Sequence, residues 1–254
     1  MKYLFFSIIL LIVISSCLYA FDTKGLVLYL KLDEGSGKVA KDSSSSKNDG
    51  ELQGNVEWVD GKIGKAVKAS DTSGGDMIVV KDSPSLDITD QMTIGMWVMI
   101  ETVPDGSCSL ITKADTYMIH SSNWSGKGIE QELLLWPFDL WQSPASTPIQ
   151  LNQWKHVIGT FDGQTIKMFV DGKLMGQRGY ANKIAVTNND VVIGRDSRAC
   201  CNTRRSKLTF DEVVIFNRAL ADNEVKEVMV GGGKAVDMRD HITALWGYIK
   251  SNQD

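Results

Sequence analysis

Leu208-Thr209-Phe210-Asp211-Glu212-Val213-Val214-Ile215-Phe216-Asn217-Arg218-Ala219-Leu220 reads as one strand that ends in a turn leading into a helix. From Val213 to Phe216 the residues are β-branched or aromatic, types that fit a pleated, largely buried surface. Asp211 and Glu212 stand directly before them, in mid-strand. Carboxylates are rarely buried without a partner, so this strand does more than fill a core. After Asn217 and Arg218 the period changes: Leu220, Val225, Val228 and Met229 form the stripe of a helix expected over Asp222 to Met229. Glu224 belongs to its first turn, and Asp222 is the expected cap because Ala221 offers no side-chain oxygen. Gly231-Gly232-Gly233 stops it.

Outward from this stretch, short alternating or apolar runs separated by Gly, Asp, Asn and Ser fill the chain. They predict strands near 26–32, 65–70, 77–80, 92–100, 109–113, 117–120 and 130–136. Further strands are expected near 154–161, 165–170, 173–178, 191–194 and 208–216. Phe161-Asp162-Gly163-Gln164 and Val170-Asp171-Gly172-Lys173 are tight hairpins, in which Asp-Gly supplies the positive φ of the turn. Between them Ile166, Met168 and Val170 share one face. Many antiparallel strands and little helix predict an all-β fold, a sandwich or jelly roll.

Both ends of this pattern carry a family likeness. Gly25-Leu26-Val27-Leu28-Tyr29-Leu30-Lys31-Leu32-Asp33-Glu34-Gly35-Ser36-Gly37, then Asp42 and Asn48-Asp49-Gly50, pair with the closing stretch 208–220. Together they resemble the signatures of the laminin-G-like (concanavalin A-like lectin/glucanase) jelly-roll family, in its bacterial exported form. Trp58 to Ala66, Met92 to Val98 and Asn152 to Val157 are similar to the family's middle segments, in the same order. The resemblance extends over roughly 25–230 and implies a sandwich of two antiparallel sheets in which the first and last strands meet. Leu208, Phe210 and Ser43 to Ser46 depart from the family pattern. The resemblance also implies a structural Ca²⁺ where the N-terminal loop meets the last strand, with Asp211 as first ligand and Asp42 and Asp33 next. Hard carboxylate and carbonyl oxygens suit that ion. Turn capping is the competing role for Asp33 and Asp42.

The chain of 254 residues divides into 1–20, 21–230 and 231–254. Lys2, the apolar run Leu4 to Ile14 and the small residues after it read as a signal peptide, too short to be a membrane span in the mature chain. Cutting after Ala20 gives simple export, the preferred reading. Ile14-Ser15-Ser16-Cys17 also resembles a lipobox, which would anchor Cys17 in the cell envelope. Export permits a disulfide of Cys108 with Cys200 or Cys201, and their odd number leaves the pairing open. A net charge of −4 gives no basic excess for nucleic acid or an anionic membrane. In the tail, Ile242, Leu245, Trp246 and Ile249 stand at helical spacing.

Catalytic residues do not assemble in the sequence. Glu130 and Glu132 share a strand face, as the acid and nucleophile of glycosidases on this fold do. A third carboxylate is missing, with Leu134, Leu135 and Trp136 in its place, so the pair reads as a solvated strand face. His120, His156 and His241 are scattered. Trp124, Trp136 and Trp141 cluster beside amides and hydroxyls and are the candidate sugar-stacking residues, whereas Trp97 and Trp154 read as core. Arg198, Arg204 and Arg205 form a small basic loop. The expected protein is a non-catalytic extracellular or cell-surface module binding a glycan or an envelope protein. A polysaccharide hydrolase or lyase and a purely structural envelope module are the alternatives.

Overall fold

The computed structural model describes residues 21–70, 75–103, 107–123, 128–136, 148–196, 198 and 206–230. The segment 1–20 expected to hold a signal peptide or lipobox, the tail 231–254, Trp124, Trp141, Arg204, Arg205, Cys200 and Cys201 lie outside the described residues.

The strands in chain order are β1 (Leu26–Leu30), β2 (Val39–Ala40), β3 (Gly50–Gln53), β4 (Glu57–Asp60), β5 (Lys65–Ala69), β6 (Met77–Val80), β7 (Met92–Thr102) and β8 (Ser107–Lys113). They continue as β9 (Tyr117–Ser122), β10 (Glu130–Leu135), β11 (Trp154–Phe161), β12 (Thr165–Val170), β13 (Lys173–Gly179), β14 (Val191–Ile193) and β15 (Lys207–Phe216). A 3-10 turn, Pro84–Leu86, and one helix, α1 (Asp222–Met229), complete the described elements. An eight-stranded sheet runs β13-β12-β11-β7-β15-β5-β4, with β1 paired to β15. A seven-stranded sheet runs β10-β9-β8-β14-β6-β3-β2. The pairings are antiparallel, as a jelly-roll sandwich requires.

Side-chain alternation fills the space between the sheets. Ile94, Met96 and Val98 of β7, Phe210 and Ile215 of β15, and Val157 of β11 meet Ile78, Val80, Ile119, Leu133 and Val191 of the other sheet in one buried cluster. Asp171 (φ 50°) and Gly172 (φ 71°) turn β12 into β13 with the positive φ that the sequence predicts. The helix α1 covers the outward face of the eight-stranded sheet. Trp97 Nε1 donates to the carbonyl of Met229 (3.0 Å), and the Leu220 N–H donates to Thr93 Oγ1 (2.9 Å). Trp97 is therefore buried under the helix and not between the sheets, and Trp154 is only half-buried. Both differ from the core role expected of them, because strand alternation sends residues of the opposite parity, Met96 of β7 and Val157 of β11, inward instead. Asp222 does not cap α1. Glu224 Oε2 accepts the Ala221 N–H (2.8 Å), and Arg218 holds the Glu224 carboxylate at 2.7 Å.

Candidate functional site

The carboxylates of the closing strand sit on a β-bulge. Pairing between β15 and β7 breaks between Asp211 and Val214, and Glu212 adopts φ 51°, a left-handed conformation uncommon outside glycine. The bulge keeps Asp211 and Glu212 off the inter-sheet core while Val213 and Ile215 resume packing. Asp211 is fully buried, and its Oδ2 accepts the Ile63 N–H at 2.9 Å. Its Oδ1 is buried with no hydrogen-bond partner, a costly state for a carboxylate. Burial, reinforced by the charges of Glu212 and Asp33, pushes the Asp211 carboxyl up to about 7. Burial also raises Glu212, with Asp33 adding repulsion, although the Tyr29 hydroxyl donates to Glu212 Oε2. Asp33 reaches this knot from the loop after β1 and accepts the Lys65 N–H (2.9 Å).

Asp42 stands elsewhere. Its carboxylate accepts the backbone N–H groups of Tyr29, Ser44 and Asn48 and the Ser44 hydroxyl, all within 2.8 Å. Those four bonds occupy its lone pairs, so Asp42 organises the 42–48 loop, the turn-forming role named for it as the alternative. Cys108 is a free thiol in the core, beside Ser206 and Ser121, and burial pushes it up to about 11. The partners considered for it, Cys200 and Cys201, lie outside the described residues.

The second cluster lies on the outward face of the seven-stranded sheet. Register places Glu132 opposite His120 and His120 opposite Ser109. His120 Nδ1 is 3.4 Å from Glu132 Oε2, and the Ser109 hydroxyl donates to Asp196 Oδ2 (3.1 Å). Arg198 grips Asp196 through Nε (3.0 Å) and Nη2 (2.6 Å), and its guanidinium lies 5.4 Å from the ring centroid of half-buried Trp136. Burial opposes the charge of Asp196, yet bonds from Arg198 and Ser109 hold its carboxyl below the usual range. Glu130 and Glu132 are 7 % and 8 % exposed, so the solvated strand face expected for them is not what forms. The sequence offered no sign of the Glu132–His120–Ser109 row, because only strand register creates it.

On the same face a groove of about 320 Å³ has Val79 and Val192, direct cross-strand partners, as its floor. Gln53, Asn189 and the Lys81–Asp190 ion pair (2.9 Å) form its rim.

The sequence of residues 72–226 matches the family described as the concanavalin A-like lectin/glucanases superfamily. The chain belongs to this superfamily. A comparison with curated protein sequences gives no match. Among solved structures, it is similar to the binding domain of Paraclostridial Mosquitocidal Protein 1, at 15 % identity and a TM-score of 0.64. That match covers 80 % of this chain and 51 % of the other, so the chain spans about half the length of its neighbour. It is also similar to domain 4 of the extracellular arabinanase AbnA from Geobacillus stearothermophilus, solved with arabinotriose (19 % identity, TM-score 0.62, covering 80 % and 97 %). A sialidase from Trypanosoma rangeli, solved with sialic acid, matches at 18 % identity and TM-score 0.60 over 83 % of this chain and 34 % of its own. These likenesses show the shared sandwich. Among the described residues no helix is long and apolar enough to cross a membrane.

Proposed function

We infer that the protein is a non-catalytic carbohydrate-binding module, exported by residues 1–20 and stiffened by one calcium ion. The groove on the seven-stranded sheet is the observation that supports this most. A Val79–Val192 floor suits the apolar face of a sugar ring, and Gln53, Asn189 and Asp190 offer amide and carboxylate groups to its hydroxyls. Family membership makes binding a reasonable role for the fold, but fold alone names no ligand. The test is a glycan array probed with the purified protein in calcium and in EDTA, repeated with Val192→Arg. Binding to a defined sugar class that Val192→Arg removes supports the groove; silence on every glycan moves the function to an envelope-protein partner.

Calcium fits the bulge in part. Asp211 Oδ1 lacks a donor, and three carboxylates repel one another around it, a combination that a hard cation would relieve. Among the described residues no group of three or more His, Cys, Asp or Glu side chains forms a metal site, so carbonyls or water would have to complete the sphere. Asp211 and Asp33 would hold the ion, and the ion would supply charge balance and rigidity.

One observation favours a hydrolase as a second reading: Glu132 and His120 form a buried acid–base pair beside Glu130. Turnover of a β-glucan or uronate polymer that disappears in Glu132→Gln would establish it.

A further inference from the structure

A cavity lies at one end of the sandwich, where β1 begins and β7 starts, away from the groove and the bulge. It holds about 610 Å³, within the range of small-molecule sites. Ser45, Ser46, Ser85, Asp87, Gln91 and Asn217 contribute hydroxyl, carboxylate and amide groups to its wall. Pro84 and Ile88 add short apolar patches.

Two networks behind the wall fix it. Asn48 donates to the Val27 carbonyl and to Ser85 Oγ (2.9 Å each) and accepts the Ser83 hydroxyl (2.9 Å), so its amide is fully engaged in holding the serines. Lys113, fully buried, pairs with Asp87 Oδ1 at 3.1 Å and with Asp82, while the Tyr117 hydroxyl donates to the Leu86 carbonyl. A buried lysine thus sets the orientation of Asp87 from the core side, although Asp87 itself remains partly exposed. The lining contains no Lys, Arg or His, and the lysine that pairs with its Asp90, Lys183 (2.8 Å), is not part of the lining. An anion would meet carboxylates with no cation in the wall to receive it. Asp87 Oδ1 is buried against Lys113, so its other oxygen is the one that can accept from a sugar hydroxyl; flanked by amides and hydroxyls, it offers the chemistry that recognises an uncharged sugar.

We propose that this end cavity is a second carbohydrate site, which takes an uncharged monosaccharide unit through Asp87, Gln91 and the hydroxyls of Ser45 and Ser85. It shares a ligand class with the groove and none of its residues, so the two can fail separately. Saturation-transfer NMR on the full protein tests it with methyl glucoside, methyl galactoside, methyl arabinofuranoside, glucosamine and glucuronate. The expected result is a signal from at least one neutral glycoside that persists in Val192→Arg and vanishes in Ser45→Trp, which fills the cavity from an exposed position. Gln91→Ala and Asp87→Asn should each weaken that binding by about tenfold, the loss of one good hydrogen bond. The proposal is overturned by silence from all neutral glycosides, by a signal that survives Ser45→Trp, or by binding of the charged sugars alone. If Asp87→Asn fails to fold, Ser45→Trp and Gln91→Ala still decide the matter, because neither side chain touches the Lys113 network.

Discussion

Asp211 and His156 flank Trp97 on the outward face of the eight-stranded sheet, each one strand away from it. Both have a buried polar atom without a hydrogen bond, Oδ1 of Asp211 and Nδ1 of His156. They answer to different conditions. If a cation sits on Asp211 Oδ1, calcium should raise the melting temperature of the wild type and leave Asp211→Asn unchanged, because a ligand confined to the native state stabilises it. Differential scanning calorimetry in calcium and in chelator checks this, and equal shifts in both proteins would remove Asp211 from the site. His156 titrates instead. Burial drives its pKa from 6.5 down to about 3, against a small opposing pull from Asp171. For His156 alone the native state therefore binds fewer protons than the unfolded chain between those values, and its contribution to stability falls as pH drops below 6.5, while Asp211, pushed up to about 7, acts in the opposite sense. The His156 share should reach about 2 kcal/mol by pH 5, so the stability of His156→Phe relative to the wild type should rise by about that amount between pH 7 and pH 5 in urea titrations.

Among the elements, α1 shows how a missing cap is replaced. Ala221 supplies no oxygen, and Glu224 reaches back to its N–H while bound to Arg218. Ala221→Ser should add about 1 kcal/mol of stability, measured by chemical denaturation. The 3-10 turn depends on Lys113 of β8, whose ammonium is buried between Asp82 and Asp87. Lys113→Ala should cost about 3–5 kcal/mol, since it strands two carboxylates, and the sugar signal from the end cavity should fall with it. The helix and twelve of the strands were legible in the sequence, because each has a clear period and turn residues at its borders. β2, β3 and β4 were not: Gly50-Glu51-Leu52-Gln53 and Glu57-Trp58-Val59-Asp60 are too short and too polar for a period to emerge. The sites were less legible than the strands. Asp211 could be picked out as a carboxylate in a strand, but its contact with Ile63 spans 148 residues. The row from Glu132 to Ser109 exists only once three strands are in register.

At the scale of the whole molecule, two sheets share one core and the polar chemistry is distributed over their outward faces and one end. The bulge lies on the helix-bearing face, the groove on the other face, and the end cavity between the beginnings of β1 and β7. Val192 of the groove and Gln91 of the cavity share no partner, so the effects of replacing them on stability should add within about 0.5 kcal/mol. A Val192→Arg, Gln91→Ala double variant measured against its two single variants checks this.

The pairing of β1 with β15 also governs timing. Leu26 lies opposite Phe216, and among the described residues β1 joins its sheet only through β15. A ribosome delivers the first of these strands long before the last, and such distant contacts close slowly. Until Phe216 has been made, the sandwich cannot be finished, and Leu26 to Leu30 wait as an open apolar strand. A chain that cannot complete its fold early remains threadable, which is the state a translocation channel needs. Slow closure, a liability in a crowded cytoplasm, would serve this chain if residues 1–20 export it as proposed, because it could then reach the far side unfolded.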